Sequence, residues 1–345
     1  MPATGRPWRA LLPGVRKPAN TARCRECCPV SPDPVRCRQL SSRDSDRGLP
    51  LPVISPPMNR RDFLSSVAVV PALAIRQPQT PTAAAAPARG GLKLGSVTYN
   101  IAKDWDVPTI IKNLTEAGFD AVELRTTHKH GVEISLTPAQ RAEVRKQFEG
   151  SAVKIGGLGT TCEFHSPDQA VVKKNIDETK EWVKLAKDLG SPSVKVRPNG
   201  LPKEVPEEKT LEQIGKALAE CGAFAQDNGI KIQLEVHGAE TQRVPRIRKI
   251  FDYGGNHPAV RACWNSNPTD LLDGGFESNF QLLKNQIGQI HMRDLMLEEY
   301  PWKKLITSLA QMNFQGYCFA EIPESGDPVR VLKYFRGMFR AYQNL

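Results

Sequence analysis

Between residue 92 and the carboxyl terminus the chain repeats one unit eight times: a short run of β-forming apolar residues, then an amphipathic segment. The apolar runs fall at 92–100, 121–126, 153–164, 193–198, 231–237, 260–266, 287–295 and 316–324. The amphipathic segments fall at 107–117, 138–148, 168–189, 207–228, 244–251, 277–285, 302–312 and 328–342. Leu211, Ile214, Ala217, Leu218, Cys221 and Phe224 illustrate the pattern, because their spacing gathers them on one face of a helix. Gly118, Gly190 and Gly229 follow such segments and supply the left-handed caps that end helices. Strands too apolar to face water, alternating with helices every 27–40 residues or so, predict a parallel sheet covered by helices. Eight units in 254 residues predict that the sheet closes into a (β/α)8 barrel. An open doubly wound sheet would carry a glycine-rich phosphate turn after its first strand. Val97-Thr98-Tyr99-Asn100-Ile101-Ala102 contains none.

The formal charge of +10 does not belong to this repeat. Residues 1–57 carry 10 Lys/Arg against 4 Asp/Glu, residues 58–91 carry 4 against 1, and residues 92–345 carry 33 against 32. The near-neutral repeat offers no broad surface for nucleic acid. Residues 1–57 are rich in Pro, Arg and Ser without apolar periodicity, which predicts a disordered extension, upstream of the true start if Met58 is the initiator. Its Cys24, Cys27, Cys28 and Cys37 lack the second ligand pair of a zinc site. From Met58 a charged start with paired arginines, Asn59-Arg60-Arg61-Asp62-Phe63-Leu64, precedes the apolar run Val67 to Ala74. That run is too short for a stable membrane anchor and resembles a twin-arginine signal peptide over 58–76. A Pro/Ala/Thr linker over 77–91 would then lead into the folded domain at 92–345, exported to the periplasm. Cys162, Cys221, Cys263 and Cys318 are scattered through the repeat and read as small buried hydrophobes.

In a parallel barrel the chemistry lies at the carboxyl ends of the strands. Those ends offer Tyr99 and Asn100, Glu123 and Arg125, Glu163 and His165, Lys195 and Arg197, Glu235 and His237, Asn265 and Asn267, His291 and Arg293, and Glu321. Residues two apart on a strand share a face, so Glu235 with His237, and His291 with Arg293, point into one mouth. Two carboxylates and an imidazole from neighbouring strands suit Mn²⁺, Mg²⁺ or Zn²⁺. Taken singly, Glu235 reads better as a salt-bridge partner of Lys195 or Arg197, and His291 as a core imidazole; taken jointly at corresponding strand ends, they read as a site.

Several pieces together resemble the sugar phosphate isomerase/epimerase family of xylose-isomerase-like TIM barrels. They are Ala117-Gly118-Phe119-Asp120-Ala121-Val122-Glu123-Leu124, Leu234-Glu235, His291-Met292-Arg293-Asp294, and Gly316-Tyr317 leading to Ala320-Glu321. The resemblance implies a divalent metal held by Glu235, the sixth-strand position Asn265, His291 and Glu321. It further implies that Glu235 and Glu321 act as an acid/base pair. The sixth-strand position departs from the family's usual Asp: Asn265 offers a neutral oxygen and one negative charge fewer. Asn267, two residues on, or His237, at the end of the fifth strand, is the candidate compensating donor.

Glu123, Arg125, His165, Lys195, Arg197, His237, Asn267 and Arg293 are the candidates for substrate contact. The expected reaction is proton abstraction next to a carbonyl of a small carbohydrate, by an isomerase or epimerase. A lyase or hydratase acting on keto sugars uses the same first step, and a carbohydrate-binding barrel without catalysis uses the same fold. Self-association stays open.

Overall fold

The computed structural model describes residues 91–345. The extension, signal peptide and linker expected before Gly91 lie outside the described residues. Eight parallel strands close into one barrel in sequence order, each neighbour paired with the next and β8 with β1. They are β1 Lys93–Val97, β2 Ala121–Arg125, β3 Lys154–Glu163, β4 Ser193–Arg197, β5 Lys231–Glu235, β6 Val260–Trp264, β7 Ile287–Met292 and β8 Tyr317–Ala320. Helices follow each strand: α1 Val107–Ala117, α2 Pro138–Glu149, α3 Gln169–Leu189, α4 Glu207–Asp227, α5 Val244–Tyr253, α6 Gly275–Leu283, α7 Trp302–Gln311 and α8 Pro328–Tyr342. Among the described residues no helix is long and apolar enough to cross a membrane.

Local chemistry sets the helix ends. Asp106, Thr137 and Asp168 accept backbone N–H groups at the starts of α1, α2 and α3, satisfying donors that have no partner within the helix. Gly118 and Gly190 close α1 and α3 in the left-handed conformation expected of them. The four cysteines of this region are free and buried, as their scatter predicted.

The strands sort their side chains by alternation. Outward residues such as Leu94, Val122, Leu124, Val194, Val196, Ile232, Leu234 and Ile290 join the core between barrel and helices. Inside the barrel a separate, smaller apolar cluster of Val97, Ala121 and Phe319, backed by Tyr317, forms the floor. Glycine makes room for it: a Cβ at Gly95 would stand 2.4 Å from the Phe319 ring, and one at Gly156 would stand 2.8 Å from it. Higher on β3, a Cβ at Gly159 would fall 2.7 Å from the Glu123 carboxylate. Above the floor the inward positions are polar, and the site is built from them.

Phe319 is fully buried and faces His291 edge-on, so it seals the barrel below the polar layer. Phe319→Ala is expected to lower the unfolding free energy by about 3–5 kcal/mol in denaturant titration, because glycine-lined walls cannot collapse into the hole. A loss below about 1 kcal/mol would show that the floor does not depend on that ring.

Candidate active site

Glu235 closes β5, His291 lies in β7 and Glu321 directly follows β8. One ligand atom from each lies within 4.8 Å of the others. Glu235 and His291 are buried, at 2% and 0% exposure, whereas the Glu321 side chain keeps 20%. His291 Nδ1 stands 3.4 Å from Glu235 Oε1 and 3.5 Å from Glu321 Oε2.

The other ring nitrogen fixes what Nδ1 can do. His291 Nε2 lies 3.0 Å from Glu123 Oε2, which also accepts from Gln289 Nε2 at 2.7 Å. A carboxylate there makes Nε2 the donor and turns the Nδ1 lone pair toward Glu235 and Glu321. Among the described residues Nδ1 is buried without a hydrogen bond and stands between two carboxylates, a position that either a proton or a cation can fill. The donor set of two carboxylates and one imidazole therefore fits a divalent metal. Asn265, 7% exposed, follows β6 two residues after Cys263, whose strand position pairs with Glu235. A neutral amide oxygen from there would complete the set.

The electrostatics follow from enclosure. Burial would raise the Glu235 carboxyl, but the Lys195 ammonium and the His291 ring outweigh it and hold the group well below the usual carboxylate range. Burial likewise opposes ionisation of Glu123, and His291 with Lys195 reverses the sign. For His291, burial favours the neutral ring. The Cys263 sulfur and the carboxylates of Glu123 and Glu321 overcome this and raise it well above the ordinary histidine value. Lys195 donates to Glu235 Oε2 at 2.6 Å, so the ion pair that the sequence offered as an alternative role for Glu235 is made within the same site.

The remaining predicted residues occupy the rim. Arg197 pairs with Glu163, which also accepts from Asn199 Nδ2 at 2.6 Å. That bond orients the Asn199 amide so that its oxygen accepts from His237 Nδ1 at 2.8 Å. Gly238, at φ 93°, permits the contact, because a Cβ there would meet the Asn199 backbone at 2.5 Å. The His237 tautomer is thereby set, Nε2 keeps its lone pair, and burial lowers the imidazole below its ordinary value. His165 Nδ1 lies 3.7 Å from Glu163 Oε2 and makes no hydrogen bond.

Other candidates are spent on loop architecture. Arg125 donates to Thr126 O and Thr127 Oγ1 and lies over the Tyr99 ring. Asn267 donates to Val236 O and caps the short 3-10 helix Pro268–Leu271. Arg293 Nε donates to Ser266 O, leaving Nη2 buried without a partner. Glu123, placed by sequence at the rim, is fully buried beneath His291.

Sequence reasoning passed over Gln289 and Cys263, which touch His291, and Asn199, which holds His237. It also missed His128 and His130. His130 bridges Arg125 O and Val132 N. His128 bonds Thr98 Oγ1, and burial together with Arg125 and His130 pulls it down to about 4. The pair His128-Lys129-His130 directly after β2 was the available signal.

A closed parallel barrel with a carboxylate and imidazole centre at the carboxyl ends of its strands defines the class of protein. The profile described as xylose isomerase-like TIM barrel matches residues 111–341, and the chain belongs to that family. Compared by sequence, no curated protein matches. By structure the chain is similar to the apo 3-keto-D-glucoside 4-epimerase YcjR of E. coli, with TM-score 0.62 and 12% identity over 72% of this chain and 99% of that one. It is also similar to D-psicose 3-epimerase of Clostridium cellulolyticum H10 bound to D-tagatose, with TM-score 0.60 and 14% identity over 73% and 99%. A third is the IOLI protein with a bound zinc atom, with TM-score 0.60 and 18% identity over 74% and 100%. At these identities the likeness is one of fold.

A proton on His291 Nδ1 and a cation compete for the same lone pair. Cation binding near neutral pH is therefore expected to release protons, and affinity to fall as pH is lowered, measured by calorimetry with Mn²⁺ in buffers of different ionisation enthalpy. Glu123→Gln, which removes the charge behind the ring, is expected to weaken Mn²⁺ about 10–100-fold. Binding without proton release would place the cation elsewhere.

Proposed function

We propose that the protein is a metal-dependent carbohydrate isomerase or epimerase that removes a proton from the carbon next to a carbonyl. One observation carries the reading: Glu235, His291 and Glu321 converge at the barrel mouth around an unpartnered buried nitrogen. The sugar epimerases among the similar folds support the choice of substrate class.

Glu235, His291 and Glu321, with Asn265 beside them, would hold the cation. A bound divalent ion supplies Lewis-acid polarisation of the sugar's carbonyl and neighbouring hydroxyl oxygens, which acidifies the carbon-bound proton. A carboxylate of the site takes that proton, and the electron pair of the broken C–H bond moves onto the carbonyl oxygen to give an enediolate. Return of the proton to the adjacent carbon, with the neighbouring hydroxyl's proton passing to the former carbonyl oxygen, isomerises the sugar, and delivery of a proton from the opposite face to the same carbon epimerises it. His237 Nε2, with its tautomer set by Asn199, accepts a hydroxyl hydrogen. Glu123 and Gln289 hold the imidazole in place from below.

Incubation of the Mn²⁺-loaded protein with D-fructose, D-tagatose and D-psicose in deuterated water tests the reading by mass spectrometry. Deuterium is expected at the carbon next to the carbonyl, and Glu321→Gln is expected to slow its entry at least about 100-fold. Exchange unaffected by that substitution would overturn the assignment, and binding of a sugar without exchange would favour a non-catalytic barrel.

The arginine pair and apolar run after Met58 support export as part of this reading. Amino-terminal sequencing of periplasmic protein is expected to find a mature end between residues 74 and 91. A mature chain beginning at Met58 would overturn it.

A further inference from the structure

The two glutamates of the centre have different surroundings, although they come from equivalent strand ends. Glu235 has both oxygens engaged: Oε2 accepts from Lys195 Nζ at 2.6 Å, and Oε1 faces His291 Nδ1 at 3.4 Å. The pair is enclosed, with 8% of the Lys195 side chain and 3% of the Glu235 side chain exposed. Lys195 comes from β4, and its register places it beside Gly159 on one side and Gln233 on the other. Glu321 is built otherwise. Its Oε2 faces His291 Nδ1, and among the described residues neither of its oxygens receives a hydrogen bond. Its side chain is the one ligand-side group that stays open to the mouth.

In Glu235 one oxygen is already bonded by an ammonium, and giving up that bond would leave a buried charge unpaired, which costs more inside a protein than at its surface. A cation therefore meets Glu235 through its other oxygen, whereas Glu321 offers both.

We propose that Lys195 is a positioning residue that makes the two carboxylates unequal, tethering Glu235 as a one-oxygen ligand while Glu321 keeps both oxygens free of hydrogen bonds. The inference rests on the function proposed above and deepens it. The tether also replaces part of the attraction for a cation: Asn265 contributes no charge, and Lys195 adds a positive one next to a ligand. The site therefore stays assembled without metal and binds it less tightly than a full carboxylate set would.

The test is a double-mutant cycle on the full chain, read as Mn²⁺ affinity by calorimetry. Lys195→Met in the wild-type background is expected to tighten Mn²⁺ about tenfold or more, since a like charge beside the ion and a competitor for Glu235 both disappear. In the Glu235→Gln background the same substitution is expected to tighten Mn²⁺ clearly less, because the tethered group is gone and only the relief of like charge remains. Lys195→Gln, which keeps a donor to Glu235 without the charge, carries the same expectation where the Met variant does not fold. Equal effects in the two backgrounds, or weaker binding by Lys195→Met in the wild type, would overturn the tether. Binding gained only in the Lys195 variants would support it, and no binding in any variant would overturn it. The deuterium-exchange result judges the proposed function separately, since that assay follows the carbon-bound proton and this one follows the cation.

Discussion

The interior of this barrel depends on the ion pair between Lys195 and Glu235. Three carboxylates, Glu123, Glu235 and Glu321, converge on one imidazole, two of them cut off from water. Ionised carboxylates lose several kcal/mol of hydration on burial, and only close opposite charge and hydrogen bonds offset that loss. Lys195 offsets it for Glu235, and His291 with Gln289 offsets it for Glu123. Gly159 of β3 follows from the same requirement, since a Cβ there would crowd the Glu123 carboxylate. The sequence can place so much polarity inside the barrel because the outward face of every strand carries the apolar load of the fold.

How much was readable without coordinates depended on which force acted at each position. The eight units were readable because burial between barrel and helices imposes a pattern along the chain, and α1 and α8 begin and end at the expected residues. The strand ends ran long. Residues 287–295 were expected in β7, which stops at Met292, and residues 316–324 in β8, which stops at Ala320. Ile322 explains the discrepancy: it is apolar and buried, yet its carbonyl accepts from Asn100 and Ile101 in the β1 loop and makes no ladder bond. Buried loop residues and strand residues look alike in a linear pattern. The short 3-10 helix at Pro268–Leu271 went unread because its signal, Asn267 capping toward Asp270, is a local hydrogen-bond motif without apolar period.

The centre itself divides in the same way. Glu235, His291 and Glu321 stand out because charge at the end of an apolar run is conspicuous. Gln289 and Cys263 do not, although they touch the same imidazole, because their role exists only through inter-strand register. Glu123 was conspicuous but misplaced: it stands mid-strand in β2, two residues before the end at Arg125, so its side chain is buried against His291 and does not reach the rim. Lys195 was legible as a partner of Glu235, but whether that pairing excluded or shaped a metal site could not be read from one dimension.

The rim explains where selectivity toward a sugar must reside. On the β3 to β5 side, Glu163, Arg197, Asn199 and His237 form a continuous chain of bonds whose members largely satisfy one another. Groups bonded internally hold shape but have little left to offer a ligand. Beyond this chain of bonds His237 Nε2 keeps its lone pair, and the Glu321 side chain stays partly exposed. A pocket that rejects analogues strongly does so by leaving such buried polar atoms unpaired when the wrong ligand binds. The discriminating contacts are therefore few and directional, and the fixed His237 tautomer, enforced from Glu163 through Asn199, makes one of them an acceptor that a hydroxyl must meet with its hydrogen.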